Sequence, residues 1–176
     1  MAGGSRRQND LFNLADCPSC LLKETGMAIY SLRVVSFIFV ALAFAPAAAH
    51  FFAMFNKMRL DGPNYLAAQR AYDGWSLFAI VVLGALLSTA ALAILLYRAS
   101  ASFGLVVVAF LSIGATQFAF WTLTYPINQA TRNWTVLPEN WELMRRQWEY
   151  SHAIAAGLNA LALLVLFISA LRAAVR

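Results

Sequence analysis

Between Arg98 and Arg132 the chain has no Lys, Arg, Asp or Glu, and the interval is dominated by Ala, Val, Leu, Ile and Phe. An uncharged stretch of that length cannot be packed inside a small soluble domain, so it needs an apolar solvent. Its apolar body runs from Phe103 to Trp121. Three other runs share the character. The first extends from Ala28 to about Phe55, polar only at Arg33 near its start and His50 near its end. The others are Trp75 to Tyr97, and Ala153 to about Ala170, closed by Arg172 and Arg176. At about 1.5 Å of rise per residue, helices of these lengths match a hydrocarbon core about 30 Å thick. The expected fold is all-α, an integral membrane antiparallel four-helix bundle. An even number of spans places both termini on one side and the two long connectors on the other.

Composition points the same way. The 176 residues amount to one domain. They are 61% hydrophobic and 12% charged, against about 45–50% and about 25% in soluble domains. The net charge of +5 sits at helix ends and forms no basic stripe, so the lipid bilayer is the expected partner and nucleic acid is not. Charge does not orient the chain. Arg6, Arg7, Lys23, Arg98, Arg172 and Arg176 on one face balance Lys57, Arg59, Arg70, Arg132, Arg145 and Arg146 on the other. Oligomeric state is equally open. Small residues at Gly84 and Ser88, at Gly114, and at Ala156 and Ala160 permit close helix approach within one chain or between two.

Residues Met1 to Gly26 are polar and non-periodic and are expected to form a disordered tail, with Met27 a candidate natural start. The tail holds both cysteines, in the CPSC motif from Cys17 to Cys20; a redox pair or half a zinc site is weighed against a plain pair of thiols, and no second ligand pair lies nearby. In the first span Pro46 frees the carbonyl of Leu42, so a kink is expected one turn before His50. In the first connector Asp61-Gly62-Pro63 reads as a turn, followed by a short helix with Tyr65, Gln69 and Tyr72 on one face. That face would either anchor at headgroup depth or wall a site.

The chemistry concentrates between Phe120 and His152, which holds four of the five Trp residues and one of the two His. Helix four starts near Pro138, and Trp141, Arg145, Trp148 or Glu149, and His152 recur along one face. The topology brings His50, ending the first span, to the same rim as His152. Three readings of this cluster remain open. His152 can be a general base, with Arg145 or Glu149 orienting it or stabilising an anion. His50, His152 and Glu149 can bind a metal, or the two histidines a haem. The charges can be interfacial salt bridges around structurally satisfied histidines. The candidate catalytic residues are therefore His152, Arg145 and Glu149. The candidate substrate-binding residues are His50, Asn128, Trp141, Trp148 and Tyr125, facing a small apolar aromatic ligand. The residues name no cofactor.

The segments HFFAMFNKMRLDGPNYLAAQRAYDGW, FWTLTYPINQATRNWT and WELMRRQWEYSHAIAA resemble the four-helix membrane family that contains the fungal anthrone oxygenases. The likeness covers about Met27 to Arg172 and rests on Asn128, Trp141, Arg145, Trp148 and His152. Where that family often has Arg-Thr after the histidine, this chain has Ala153-Ile154, as in a bacterial branch, which implies a bacterial inner membrane. The resemblance implies an oxygenase that needs neither flavin nor haem. His152 would be the base, Arg145 and Asn128 anion-side donors, and Trp141 and Trp148 walls. A membrane protein that binds or passes a small apolar molecule without catalysis is the alternative.

Overall fold

The computed structural model describes residues 18–97 and 101–174. Six α-helices account for most of them: α1 (Pro18–Lys57), α2 (Gly62–Gln69), α3 (Phe78–Leu96), α4 (Phe103–Ala119), α5 (Tyr125–Ala130) and α6 (Trp141–Ala174). Four helical stretches are long and apolar enough to cross a membrane: Lys23–Lys57, Trp75–Leu96, Phe103–Ala130 and Trp141–Ala174. The expectation of an all-α multi-pass membrane protein agrees with this architecture.

The four long helices pack in a ring, α1 against α3 and α6, and α4 against α3 and α6. Val40, Ala85, Leu92, Val106, Ile113, Ala162 and Leu166 fill the space between them. The outward faces stay apolar, with Ile94 73% exposed and Phe118 72%. In water such a surface would drive aggregation; in lipid it is the ordinary outside of a membrane bundle. At one end, His50 of α1 meets Trp75 ahead of α3 and His152 of α6. At the other, Arg33 of α1 donates to Ser169 of α6. The paired contacts fix α1 and α6 running in opposite directions.

Several local expectations change. Within the described residues α1 is already helical at Pro18, so Pro18 to Gly26 form part of that helix. Residues Met1 to Cys17 lie outside the described region, and with them the first residue of the CPSC motif. Of the small residues, Gly84 is in tight contact: a Cβ there would come within 2.4 Å of the Phe39 ring. Gly114 has nothing within 4 Å of that position, and Ala160 is exposed, so neither packs against another helix of this chain.

Two irregularities shape the far end of α4. The helix passes into a π-helical turn, Phe120–Thr124, in which the Tyr125 N–H donates to Phe120 O. Pro126 has no N–H to give and its ring crowds the preceding carbonyls, which accounts for a widened turn just before it. After α5, Arg132, Asn133 and Trp134 have φ of 50°, 54° and 59°. Three consecutive left-handed residues are unfavourable by about 1–2 kcal/mol each. They are held by Thr131, whose hydroxyl donates to Ile127 O and accepts from Trp134 N–H. This turn swings Trp134 inward, where it is 3% exposed against Tyr65 and Trp148.

Candidate functional site

The rim carrying the connectors encloses a cavity of about 460 Å³. His50 and Pro46 of α1 and Thr116 of α4 line it. So do Phe120 and Thr124 of the π-turn, Asn128 of α5, and Trp148 and His152 of α6. Tyr72 and Trp75, from the first connector, close one side. The volume falls within the range of small-molecule sites, about 300–1,000 Å³.

The two histidines lie side by side, their ring centroids 4.3 Å apart. Aromatic rings surround the pair: Tyr72 at 4.0 Å from His50, Trp148 at 3.9 Å from His152, and Trp75 at 5.4 Å from His50. The Nδ1 of His152 is 2.9 Å from the carbonyl oxygen of Trp148, one turn earlier. A carbonyl can only accept, so neutral His152 carries its proton on Nδ1 and keeps the lone pair on Nε2. His50 is buried, and its Nδ1 has no partner among the described residues. Beneath them, the Oδ1 of the buried Asn159 is likewise unpartnered, while its Nδ2 donates to Ala155 O at 2.9 Å.

The indole Nε1–H of Trp148 donates to Asn128 Oδ1 at 2.8 Å. An indole N–H only donates, so this bond also fixes which way the Asn128 amide points. Among the described residues no acceptor takes the Asn128 Nδ2 hydrogens, which are left for a ligand. Ser151 and Thr124 tie α6 to the π-turn through a 2.7 Å hydroxyl contact.

Behind the aromatic wall lies a buried ionic network. Lys57 Nζ and Glu149 Oε1 are 2.8 Å apart, with side chains 5% and 0% exposed. The same Oε1 accepts from Tyr65 Oη at 2.8 Å, and Tyr65 Oη accepts from Gln69 Nε2 at 2.5 Å. Burial above all, and then the charge and hydrogen bond of Glu149, push the Tyr65 phenol far above its ordinary range. The Tyr72 phenol is also raised, first by burial and then by the charge of Glu149. Both therefore stay neutral donors at any working pH. The Lys57 ammonium lies 4.7 Å from the Tyr72 ring and 5.0 Å from the Trp148 ring, the two rings that separate it from the cavity.

The expected site residues divide accordingly. His50, His152, Trp148 and Asn128 line the cavity. Glu149 and Arg145 do not. Glu149 faces Lys57 and Tyr65, and Arg145 donates to Leu60 O at 2.7 Å while stacking over Trp141 and Tyr65. Trp141 packs in that second layer. Tyr125 is turned outward, 38% exposed, stacking on Trp121 and accepting from Gln129 Nε2. Of the face of Tyr65, Gln69 and Tyr72, Gln69 and Tyr72 line the cavity, while Tyr65 is buried behind them against Glu149.

Sequence reasoning missed Lys57, counted there as a loop charge. A signal existed, because positions 50, 54 and 57 share one face of a helix, and Met54 and Lys57 are buried together with His50. The inward turn of Trp134 had none, since three non-glycine residues in a left-handed run have no pattern to announce them.

A bis-histidine haem does not fit this arrangement. With metal–nitrogen bonds of about 2 Å, axial imidazoles on opposite sides of an iron have centroids about 6 Å apart. Here the rings are in contact at 4.3 Å. Among the described residues no three His, Cys, Asp or Glu side chains converge, and the Glu149 carboxylate faces Lys57.

Comparison of the chain with models of known families, with curated proteins and with solved structures finds no match in any of the three.

Proposed function

We propose that this integral membrane protein binds a flat, weakly acidic aromatic molecule in the cavity at its connector-bearing rim and oxygenates it with dioxygen. The observation that carries the reading is the His152 ring: its Nδ1 is engaged by the Trp148 carbonyl, so the Nε2 lone pair is left as a base in an aromatic-lined cavity. The resemblance to anthrone oxygenases supplies the substrate class, a fused tricyclic ketone with an acidic methylene.

For such a substrate the steps balance without a further oxidant. His152 Nε2 takes one C–H proton and leaves a delocalised carbanion. The carbanion passes one electron to dioxygen, and the resulting radicals combine into a peroxide. The second C–H proton passes to the distal peroxide oxygen as the O–O bond breaks, forming the new carbonyl and expelling hydroxide, which takes up the first proton from His152. One substrate and one dioxygen give one quinone and one water. The Asn128 amide hydrogens would steady the developing oxyanion.

Oxygen uptake by the purified protein with an anthrone tests this. Wild type is expected to consume oxygen and form the quinone, and His152→Ala to lose at least about a hundredfold, the contribution of a positioned base. Equal rates in the two proteins, or no uptake by either, would overturn it.

A non-catalytic binding protein is the second reading. It is favoured by the positions of Arg145 and Glu149, which lie off the cavity and offer a bound anion nothing. It predicts that His152→Gln binds the same aromatic probe as tightly as wild type.

A further inference from the structure

At the opposite end of the molecule a second cavity, of about 520 Å³, opens between α1 and α6. Its lining is apolar, including Val34, Phe37, Ile38 and Phe167, except at one end, where Arg33 and Tyr30 stand. Arg33 is a cation without a counter-ion: among the described residues no carboxylate pairs with it. One guanidinium nitrogen, Nη1, donates to both the carbonyl and the hydroxyl of Ser169, at 2.9 and 2.6 Å. That anchors the side chain against α6. The remaining donors of the fork have no protein partner among the described residues.

Depth decides what could meet it. About 36 Å of helix separates Arg33 from Lys57 at about 1.5 Å per residue. Lys57 lies at the rim with the connectors, so Arg33 falls near the opposite edge of a core about 30 Å thick, where its long side chain reaches the level of lipid phosphates. The apolar residues Val34, Phe37 and Ile38 follow it along α1 towards the bilayer centre, where acyl chains lie.

We propose that this groove is a binding site for an anionic phospholipid, its phosphate on the unpaired donors of Arg33 and one acyl chain laid along Phe37, Ile38 and Phe167. Charge complementarity selects the headgroup, since a planar guanidinium held by Ser169 presents a fork to phosphate oxygens. The apolar lining selects a lipid over a free ion. The site is independent of the histidine-lined cavity, and its lipid is a structural ligand of the bundle.

The full-length protein in detergent, supplied with equal phosphatidylglycerol and phosphatidylcholine and then purified, tests this by lipid analysis. Wild type should retain phosphatidylglycerol selectively and gain thermal stability from it, and excess inorganic phosphate should not displace it. In Arg33→Gln, retention should fall about tenfold, the loss of roughly 1.4 kcal/mol of charge-assisted contact. Arg33→Lys should keep an intermediate selectivity. Ala170→Trp, which obstructs the groove and leaves the charge intact, should also release the lipid. Equal retention of the two lipids by wild type, undiminished retention by Arg33→Gln, or displacement by phosphate alone would overturn the proposal. If the Arg33→Gln protein misfolds, Ala170→Trp decides.

Discussion

Lys57 and Glu149 form a buried ion pair whose partners cannot be removed one at a time without cost. Leaving either charge unpaired at this depth is worth about 3–5 kcal/mol. Lys57→Met and Glu149→Leu should each lower the unfolding midpoint in detergent steeply, while the double variant Lys57→Met with Glu149→Leu should recover most of the loss. A double variant as unstable as the sum of the singles would mean the two residues do not act as a pair. Tyr65 adds a pH dependence of defined sign. Its phenol is raised, so the native state keeps a proton that the unfolded chain releases near its ordinary pKa of about 10. Stability from this group is complete below that pH and is lost as pH rises beyond it. Denaturation measured between about pH 8 and about pH 11 should show a shallower alkaline decline in Tyr65→Phe. At this scale the sequence was informative where residues recur on a helix face, as with Trp148 and His152. It was silent on direction: a stripe about three turns long covers two sides of a bundle end. The same stripe therefore put Trp148 and His152 into the cavity and Arg145 and Trp141 behind it.

Elements were legible in proportion to their regularity. Apolar length marked all four spans, and Asp61-Gly62-Pro63 marked the start of α2, where Asp61 caps Asn64 N–H. The π-turn and the left-handed turn were not legible, because each departs from the periodicity that sequence reading depends on, and both line the cavity. Backbone geometry makes them testable. At Arg132, with φ of 50°, glycine should be neutral or mildly stabilising, while valine should lower stability by about 1–2 kcal/mol in thermal unfolding. Equal behaviour of the two would contradict the left-handed assignment. Helix packing offers a matched comparison. Gly84→Ala drives a methyl into the Phe39 ring and should be destabilising by about 1–3 kcal/mol. Gly114→Ala meets open space and should be neutral or better by up to about 1 kcal/mol.

On the scale of the whole molecule, the chain is a membrane bundle with a different polar device at each end. One is the histidine-lined cavity, roofed by the two connectors and backed by a buried ion pair; the other is a lone arginine over an apolar groove. Composition alone announces the bundle, since so apolar a chain has no other stable solvent. The cavity required the fold, because its walls come from α1, the first connector, the π-turn, α5 and α6, which sit far apart in the chain. Everything proposed for function depends on His50 and His152 meeting at one rim inside the protein. Paired cysteines test that most directly, in a background with Cys17 and Cys20 changed to serine. His50→Cys with His152→Cys should form a disulfide under mild oxidation in native membranes, read as a mobility shift reversed by reductant, and His50→Cys with Tyr125→Cys should not. Absence of the first cross-link together with formation of the second would contradict the account.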